Sequence, residues 1–180
     1  MDKIITVKDK QFAESISADE IQQNVKRIAD QINRDYQGKE IQFIGVLNGS
    51  FMFAADLLKH ITIPCNICFI KVSSYEGTVS TGKVKQLIGL NSDIAGKDVI
   101  IIEDIVDTGL TMRDVLGQLR EKNPASLRLA TLIFKPESFR ESYKVDYVGF
   151  NIPNDFIVGY GLDYDGYGRN LPEIYTVVEK

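Results

Sequence analysis

Apolar positions recur along this chain in two alternating periods. From Ser17 to Tyr36, Ile21, Val25, Ile28, Ala29 and Ile32 fall three or four residues apart, which predicts an amphipathic helix. Ser17 with Glu20 has the form of a capping box, and Gly38 suits the stop. Ile41 to Leu47 is nearly all apolar and predicts a strand. Asn48-Gly49-Ser50 then turns the chain into a short helix, Phe51 to Lys59, which His60 ends. Ile61 to Val72 predicts the next strand. Ser73 to Lys83, rich in Ser, Thr and Gly, predicts a mobile loop, and Val84 to Leu90 a returning strand. Val99 to Ile102 is an unbroken β-branched run, the pattern of a strand buried on both faces. Thr111 to Lys122 predicts a helix ending before Asn123-Pro124. Leu127 to Phe134 predicts a strand that Lys135-Pro136-Glu137 breaks. Tyr147 to Phe150 and Phe156 to Gly161 predict two short strands. Strands alternating with helices predict an α/β domain with a mainly parallel sheet.

The central strand carries the candidate chemistry. Val99 to Ile102 runs into Glu103 and Asp104, then Asp107, then the loop Thr108-Gly109-Leu110-Thr111, which opens a helix. Open α/β sheets bind ligands at the carboxyl ends of their strands. The free N–H groups at a helix start attract phosphate. Three acids beside a phosphate site conflict: two unit charges ~4 Å apart repel by roughly 4 kcal/mol near a protein surface. The carboxylates must instead accept hydrogen bonds from hydroxyls, hold a divalent cation, or take a proton. A ligand with sugar hydroxyls, phosphates and magnesium meets all three demands.

Length and charge narrow the classes. The 180 residues suit one domain, and 44% hydrophobic residues suffice for a core. Twenty-five acidic against 21 basic residues give a net charge of −4, which argues against nucleic acid or an anionic membrane as main partner. The start, Met1 to Thr6, has no signal-peptide apolar region, and no apolar run approaches the ~20 residues of a membrane span. A cytoplasmic protein is expected. Cys65 and Cys68 form a C-x-x-C pattern, yet they fall within a strand, where residues three apart point to opposite faces. With one histidine, His60, and no second cysteine pair, they are expected to be ordinary thiols and not a zinc or redox site. His60 is expected to end a helix rather than to act as ligand or base.

The stretch Val99 to Thr111 resembles the signature of the type I phosphoribosyltransferases: an apolar strand, two acids, and a loop of Thr, Gly and hydroxyl residues. The resemblance covers nearly the whole chain. It implies a parallel twisted sheet flanked by helices, in a single domain over residues 1–180. The core would span about 37–147, with a small hood formed by about 1–36 and 148–180. It implies that Glu103 and Asp104 hold the ribose hydroxyls of 5-phosphoribosyl-1-pyrophosphate and that Asp107, Thr108, Gly109, Leu110 and Thr111 hold its 5′-phosphate. Mg2+ is the implied cofactor, with Glu103, Asp104 and Asp163 near it.

Further residues point to the members acting on 6-oxopurines. Those members have an acid where Asp107 stands, beside N7 of the base, where a carboxylate can act as general base. Lys135, after the strand Leu127 to Phe134, would donate to O6 and reject the amino group of adenine. Phe156 would stack on the purine, backbone at Ile157 would read its edge, Asp163 would lie near base and magnesium, and Arg169 would reach the pyrophosphate. Relatives often carry Lys or Arg where Asn48 stands, so the backbone N–H groups of Asn48 and Gly49 remain as pyrophosphate donors. Relatives usually have a cis-type peptide there. Ser74-Tyr75 matches their lid. Read without the family, Asp107 fits a helix cap, Lys135 a solvated strand end, Phe156 a core position, and Asp163 to Arg169 a surface loop. The resemblance implies transfer of a phosphoribosyl group to N9 of hypoxanthine or guanine by a homodimer or homotetramer. A xanthine-preferring enzyme and a non-catalytic sensor of the same ligand are the alternatives. The acidic balance and the presence of Asp107, Lys135 and Arg169 count against the sensor.

Overall fold

The two ends of the chain pair with each other, and its middle winds into a second sheet. The computed structural model describes residues 3–73, 86–90 and 92–178. Along these the order is β1 (Ile4–Val7), β2 (Lys10–Ile16), α1 (Ala18–Asp35), β3 (Ile41–Leu47), α2 (Phe51–Lys59), β4 (Cys65–Ser73), β5 (Gln86–Ile88), β6 (Asp98–Val106), α3 (Leu110–Arg120), β7 (Ser126–Phe134), β8 (Tyr147–Asn151), β9 (Ile157–Val158) and β10 (Ile174–Val177). One sheet has the order β5-β4-β3-β6-β7-β8, parallel throughout except for β5. The other is antiparallel, β1-β2-β10-β9. Among the described residues, no helix is long and apolar enough to cross a membrane.

Local chemistry accounts for the central elements. The capping box forms at α1: Ser17 Oγ accepts from the Glu20 N–H, and the Glu20 carboxylate accepts from the Ser17 N–H at 2.9 Å. The apolar face of α1, with Phe53, Ala54 and Leu57 of α2, covers one side of the parallel sheet at Ile100, Ile102, Ala130 and Leu132. On the other side Met112, Val115, Leu116 and Leu119 of α3 pack on Val99, Ile101 and Leu129. Thus β6 is buried on both faces, as its β-branched run requires. His60 is the residue that caps α2 at its C-terminus.

Several boundaries differ from expectation. The strand expected from Ile61 starts at Cys65. Pro64 lacks an N–H for the ladder, and Asn33 ties the connection by accepting from the Thr62 N–H and donating to the His60 carbonyl, each at 2.9 Å. The strand expected over Phe156 to Gly161 shrinks to Ile157–Val158, because Gly159, Tyr160 and Gly161 all take positive φ. Strands β1, β2 and β10 were not foreseen from hydrophobic period. Helix α1 lays its apolar face on the parallel sheet. Strand β8 completes that sheet through Asn151, and the antiparallel sheet is built from β1, β2, β9 and β10. Hood residues Ile157, Tyr160, Leu162 and Ile174 enter the same apolar cluster as α1 and α2, which seats the small sheet on the large one.

Candidate active site

The sheet order reverses between β3 and β6. From β3 the chain continues outward to β4, whereas β6 continues to β7 and β8 on the opposite side. The carboxyl ends of β3 and β6 therefore border the crevice where an open α/β sheet takes its ligand. After β3 the Leu47–Asn48 peptide is cis, the form usual in the resembling family. Gly49, next in line, is buried, and the Asp104 carboxylate of β6 lies so close to its Cα that a Cβ would fall on it. On its other side the Gly49 carbonyl abuts the Cα of Gly161, whose φ is +97°. Close contact at two glycines thus joins the first loop, Asp104 and the hood.

Strand β6 extends through Glu103 and Asp104. Glu103 is buried and its carboxylate accepts from the Asp104 N–H at 2.9 Å, while Asp104 accepts from the Ile105 N–H at 2.8 Å. Burial, followed by the charge of Asp104, pushes the Glu103 carboxyl well above the ordinary glutamate range. Among the described residues neither carboxylate has a lysine or arginine partner. Asp163 is not gathered with them. Its carboxylate accepts from Arg169 Nη2 at 2.8 Å and from the Gly166 N–H at 2.7 Å, and no group of three potential metal ligands forms among the described residues. The protein thus offers one or two adjacent carboxylates rather than a cage. That donor set suits magnesium, which commonly takes one or two carboxylates and fills its remaining positions with water and substrate phosphate.

Beyond β6 the chain leaves the sheet at Asp107 and Thr108, both exposed, and enters α3. Gly109 is the N-cap, with φ +87°, and no side chain caps the helix. The first helical bond joins the Arg113 N–H to the Gly109 carbonyl at 2.9 Å; the Leu110 N–H makes a long bond to Thr108 Oγ1 at 3.5 Å, and the amides of a helix start are the donors an anion can take. Glu103, Asp107, Thr108, Gly109, Thr111 and Met112 help line a cavity of about 120 Å³ at this point. Leu110 is exposed at the same helix start.

Asp107 and Lys135 come together through sheet register. Val106 of β6 pairs with Phe134 of β7, so the next residue of each strand stands side by side. The Lys135 N–H donates to the Val106 carbonyl at 3.0 Å, and Lys135 Nζ lies 3.4 Å from Asp107 Oδ2. Lys135 is not a solvated strand end: it is 7% exposed, against a half-exposed Asp107 carboxylate.

The segment after β8 runs past this pair into the hood. The Ile152 N–H donates to the Phe134 carbonyl at 3.0 Å, and Ser138 Oγ is hydrogen-bonded to Asn154. Phe156 follows, 44% exposed, and Ile157 is buried in β9. The Phe156 ring meets Tyr164 edge-on at 5.5 Å and Phe12 at 6.0 Å, and it borders a concavity of about 700 Å³ along the β1–β2 hairpin. Tyr164 is held in turn by Asp9, to which its hydroxyl donates at 2.7 Å. Lys8 pairs with Asp165, and Lys10 lies over the Tyr164 ring at 5.8 Å. These hairpin-tip contacts escaped the sequence reading, because no local pattern links residues 8–10 to 164–165. Arg169 is clamped between Asp163 and the Gly161 carbonyl, to which its Nη1 donates at 2.6 Å. Asn48 is exposed beside Gly49. Ser74 and Tyr75, expected in a lid, lie outside the described residues.

Comparison with known proteins agrees with this geometry. Residues 16–165 match the phosphoribosyl transferase domain. The chain is 43% identical over 169 residues to the hypoxanthine-guanine phosphoribosyltransferase of Mycobacterium tuberculosis, covering 90% of this chain and 84% of that protein. It is 42% identical over 166 residues to that of Streptococcus pneumoniae, covering 92% of each. The crystal structure of a hypoxanthine-guanine phosphoribosyltransferase from Bacillus anthracis superposes with a TM-score of 0.84 at 45% identity, covering 92% of this chain and 96% of that one.

Two predictions follow from the packing and charge at the crevice. Gly161→Ala should destabilise strongly, since its Cβ would strike the Gly49 carbonyl; Gly38→Ala, at φ +77° with open space around it, should cost only the left-handed conformation, about 1 kcal/mol. Equal losses of melting temperature would refute the close contact. The folded chain holds the Glu103 proton to higher pH than the unfolded chain does. Stability from this group is present below the ordinary glutamate pKa and lost as pH rises through that value toward the raised one. Glu103→Gln should therefore melt higher than the parent at pH 8, and the two curves should converge near about pH 4. A gap independent of pH would contradict the assigned cause.

Proposed function

The chain belongs to the phosphoribosyl transferase family, and from that premise we propose that it transfers the 5-phosphoribosyl group of 5-phosphoribosyl-1-pyrophosphate to N9 of hypoxanthine or guanine, releasing pyrophosphate and IMP or GMP. The observation that carries the choice of base is the Lys135–Asp107 pair, a cationic donor 3.4 Å from a carboxylate acceptor. A 6-oxopurine with its proton on N7 presents the complementary edge: O6 accepts and N7–H donates. Adenine would set its 6-amino donor against the ammonium of Lys135.

In this reading Glu103 and Asp104 accept hydrogen bonds from the ribose hydroxyls. The amides of Gly109, Leu110 and Thr111, with the Thr108 and Thr111 hydroxyls, hold the 5′-phosphate. The backbone of Asn48 and Gly49, with Arg169, meets the pyrophosphate, and Asp163 orients Arg169. Phe156 supplies the stacking face, and backbone at Ile157 meets the base edge. As N9 bonds to C1′ and the bond to pyrophosphate breaks, Asp107 takes the proton from N7. Magnesium would be held by Glu103 and Asp104 with substrate oxygens, and it supplies neutralisation of the departing pyrophosphate when bound. The remaining work of the protein is to bring two ligands into one orientation. Assembly as a homodimer or homotetramer is the corresponding expectation, readable by sedimentation.

Pyrophosphate release with hypoxanthine, guanine, xanthine and adenine offered separately tests the proposal. The first two should be substrates and adenine should not; turnover of adenine alone, or of xanthine far above the others, would overturn it. Asp107→Asn should slow turnover by ~10²–10⁴-fold while leaving affinity for 5-phosphoribosyl-1-pyrophosphate near that of the parent. Wild-type turnover would remove Asp107 from proton transfer. Lys135→Ala should weaken hypoxanthine and guanine by roughly ten- to a hundredfold, the worth of a hydrogen bond to a charged donor. Its discrimination against adenine should fall as well. A variant that ranks the purines as the parent does would leave Lys135 no part in base choice.

A further inference from the structure

The chain between β7 and β8 folds back against the start of α3 and bonds to the carbonyls of the loop at Thr108 and Gly109. The Arg140 N–H donates to the Thr108 carbonyl at 3.2 Å. The Tyr143 hydroxyl donates to the Gly109 carbonyl at 2.9 Å. The ring of Phe139 lies against the Cα of Gly109. Phe134, Phe139 and Tyr143 are stacked edge to face, with centroids 5.2 and 5.1 Å apart, and all three pack against the apolar cluster under α3.

In a trans peptide the C=O and the following N–H point in opposite directions. A carbonyl held from behind therefore turns the next amide to the front. Holding the Thr108 carbonyl aims the Gly109 N–H forward, and holding the Gly109 carbonyl aims the Leu110 N–H forward, toward the Thr108 hydroxyl, to which it makes a long bond of 3.5 Å that an anion can replace. Gly109 most needs such a restraint, because it has no side chain and sits at φ +87°. The Arg113 N–H also donates to this carbonyl at 2.9 Å, so the Tyr143 hydroxyl is its second donor, from a segment outside the helix.

We propose that Tyr143 is a positioning residue for the phosphate of the ligand: its hydroxyl fixes the Gly109 peptide so that the amides at the start of α3 face the anion before it arrives. The proposal rests on the phosphoribosyl reading of the site, and it assigns a task to residues 139–143, which no ligand needs to touch. A preset loop binds without first losing conformational freedom, so the hydroxyl contributes to affinity for phosphate and not for base.

Tyr143→Phe keeps the ring stack and removes only the hydroxyl. Dissociation constants of ribose 5-phosphate, GMP and guanosine should be measured for parent and variant. Ribose 5-phosphate and GMP should each weaken about three- to tenfold, the range of one neutral hydrogen bond, while guanosine stays unchanged. Unchanged phosphate ligands, or an equal loss on guanosine, would overturn the proposal. If the parent binds ribose 5-phosphate but gains nothing from the purine of GMP, the purine reading fails while the ribose 5-phosphate arm still decides the role of Tyr143. Phe139→Leu, which loosens the ring against Gly109 and leaves the hydroxyl, should shift the same two ligands and spare guanosine. A general loss of folding would instead lower all three together with the melting temperature.

Discussion

Gly49 lies between the Asp104 carboxylate and the backbone of Gly161, and the seating of the antiparallel sheet on the parallel one depends on the lack of a side chain at Gly161. At this point the first loop after β3, the acidic end of β6 and the hood segment come within contact of one another. A Cβ on Gly161 would strike the Gly49 carbonyl and move the hood off the crevice, and with it Arg169, whose guanidinium is tied to the Gly161 carbonyl and to Asp163; a Cβ on Gly49 would instead displace the Asp104 carboxylate. Protein interiors are packed too densely to absorb such a shift locally. The hydrophobic contacts of Ile157, Tyr160, Leu162 and Ile174 with α1 and α2 press the sheets together, and the glycines set how close they come.

The conflict between three acids and a phosphate is resolved by position. Glu103 and Asp104 lie within the strand, one buried and one against Gly49, whereas the free amides begin at Gly109, past the strand end. Residues 105–108 separate the two sets, and the third acid among them, Asp107, is paired with Lys135. One stretch of chain thereby offers acceptors to hydroxyls or a cation and, a turn later, donors to an anion. The arrangement costs stability. Glu103 is desolvated next to a second carboxylate and is held toward its neutral form, with no basic partner among the described residues. Replacing such a group by a neutral one favours the empty protein and removes an acceptor from the site, the usual opposition between stability and function.

How much of this was readable from the chain depends on the range of the interactions involved. The capping box of Ser17 and Glu20, the face of α1 and the buried run of β6 rest on contacts within a few residues or on simple burial, and period and residue type reveal them. The acids at the end of β6 stood out because polar residues interrupted an apolar run. The hood was legible only through resemblance. Its strands are short, and β2 pairs with β10 across most of the chain, Phe12 opposite Val177 and Ala13 opposite Thr176. No periodicity within Lys10–Ile16 announces a partner so distant. Tyr164 and Asp9, Gly161 and Gly49, and Tyr143 and Gly109 belong to the same class, since each pair exists only after the fold has brought separate segments together. Ile61 to Pro64 failed for a local reason that was visible, the missing N–H of Pro64. Its apolar neighbours outweighed it.

The base recognition proposed for Asp107 and Lys135, finally, is a property of sheet register. Asp107 and Lys135 adjoin because Val106 stands opposite Phe134 in a parallel ladder that also aligns Glu103 with Thr131 and Ile105 with Ile133. A slip of one residue between β6 and β7 would set Phe134 or Pro136 beside Asp107 in place of a cation. It would also turn the apolar residues of one strand to the wrong face. Both faces of these strands are buried, by α1 and α2 on one side and α3 on the other, so such a slip would disrupt two apolar clusters at once. The core that stabilises the fold therefore also guards the spacing of a donor and an acceptor at its edge. That spacing is what a purine carrying O6 beside N7–H can match, and the loops around it need only bring the base and the ribosyl ligand to the same place.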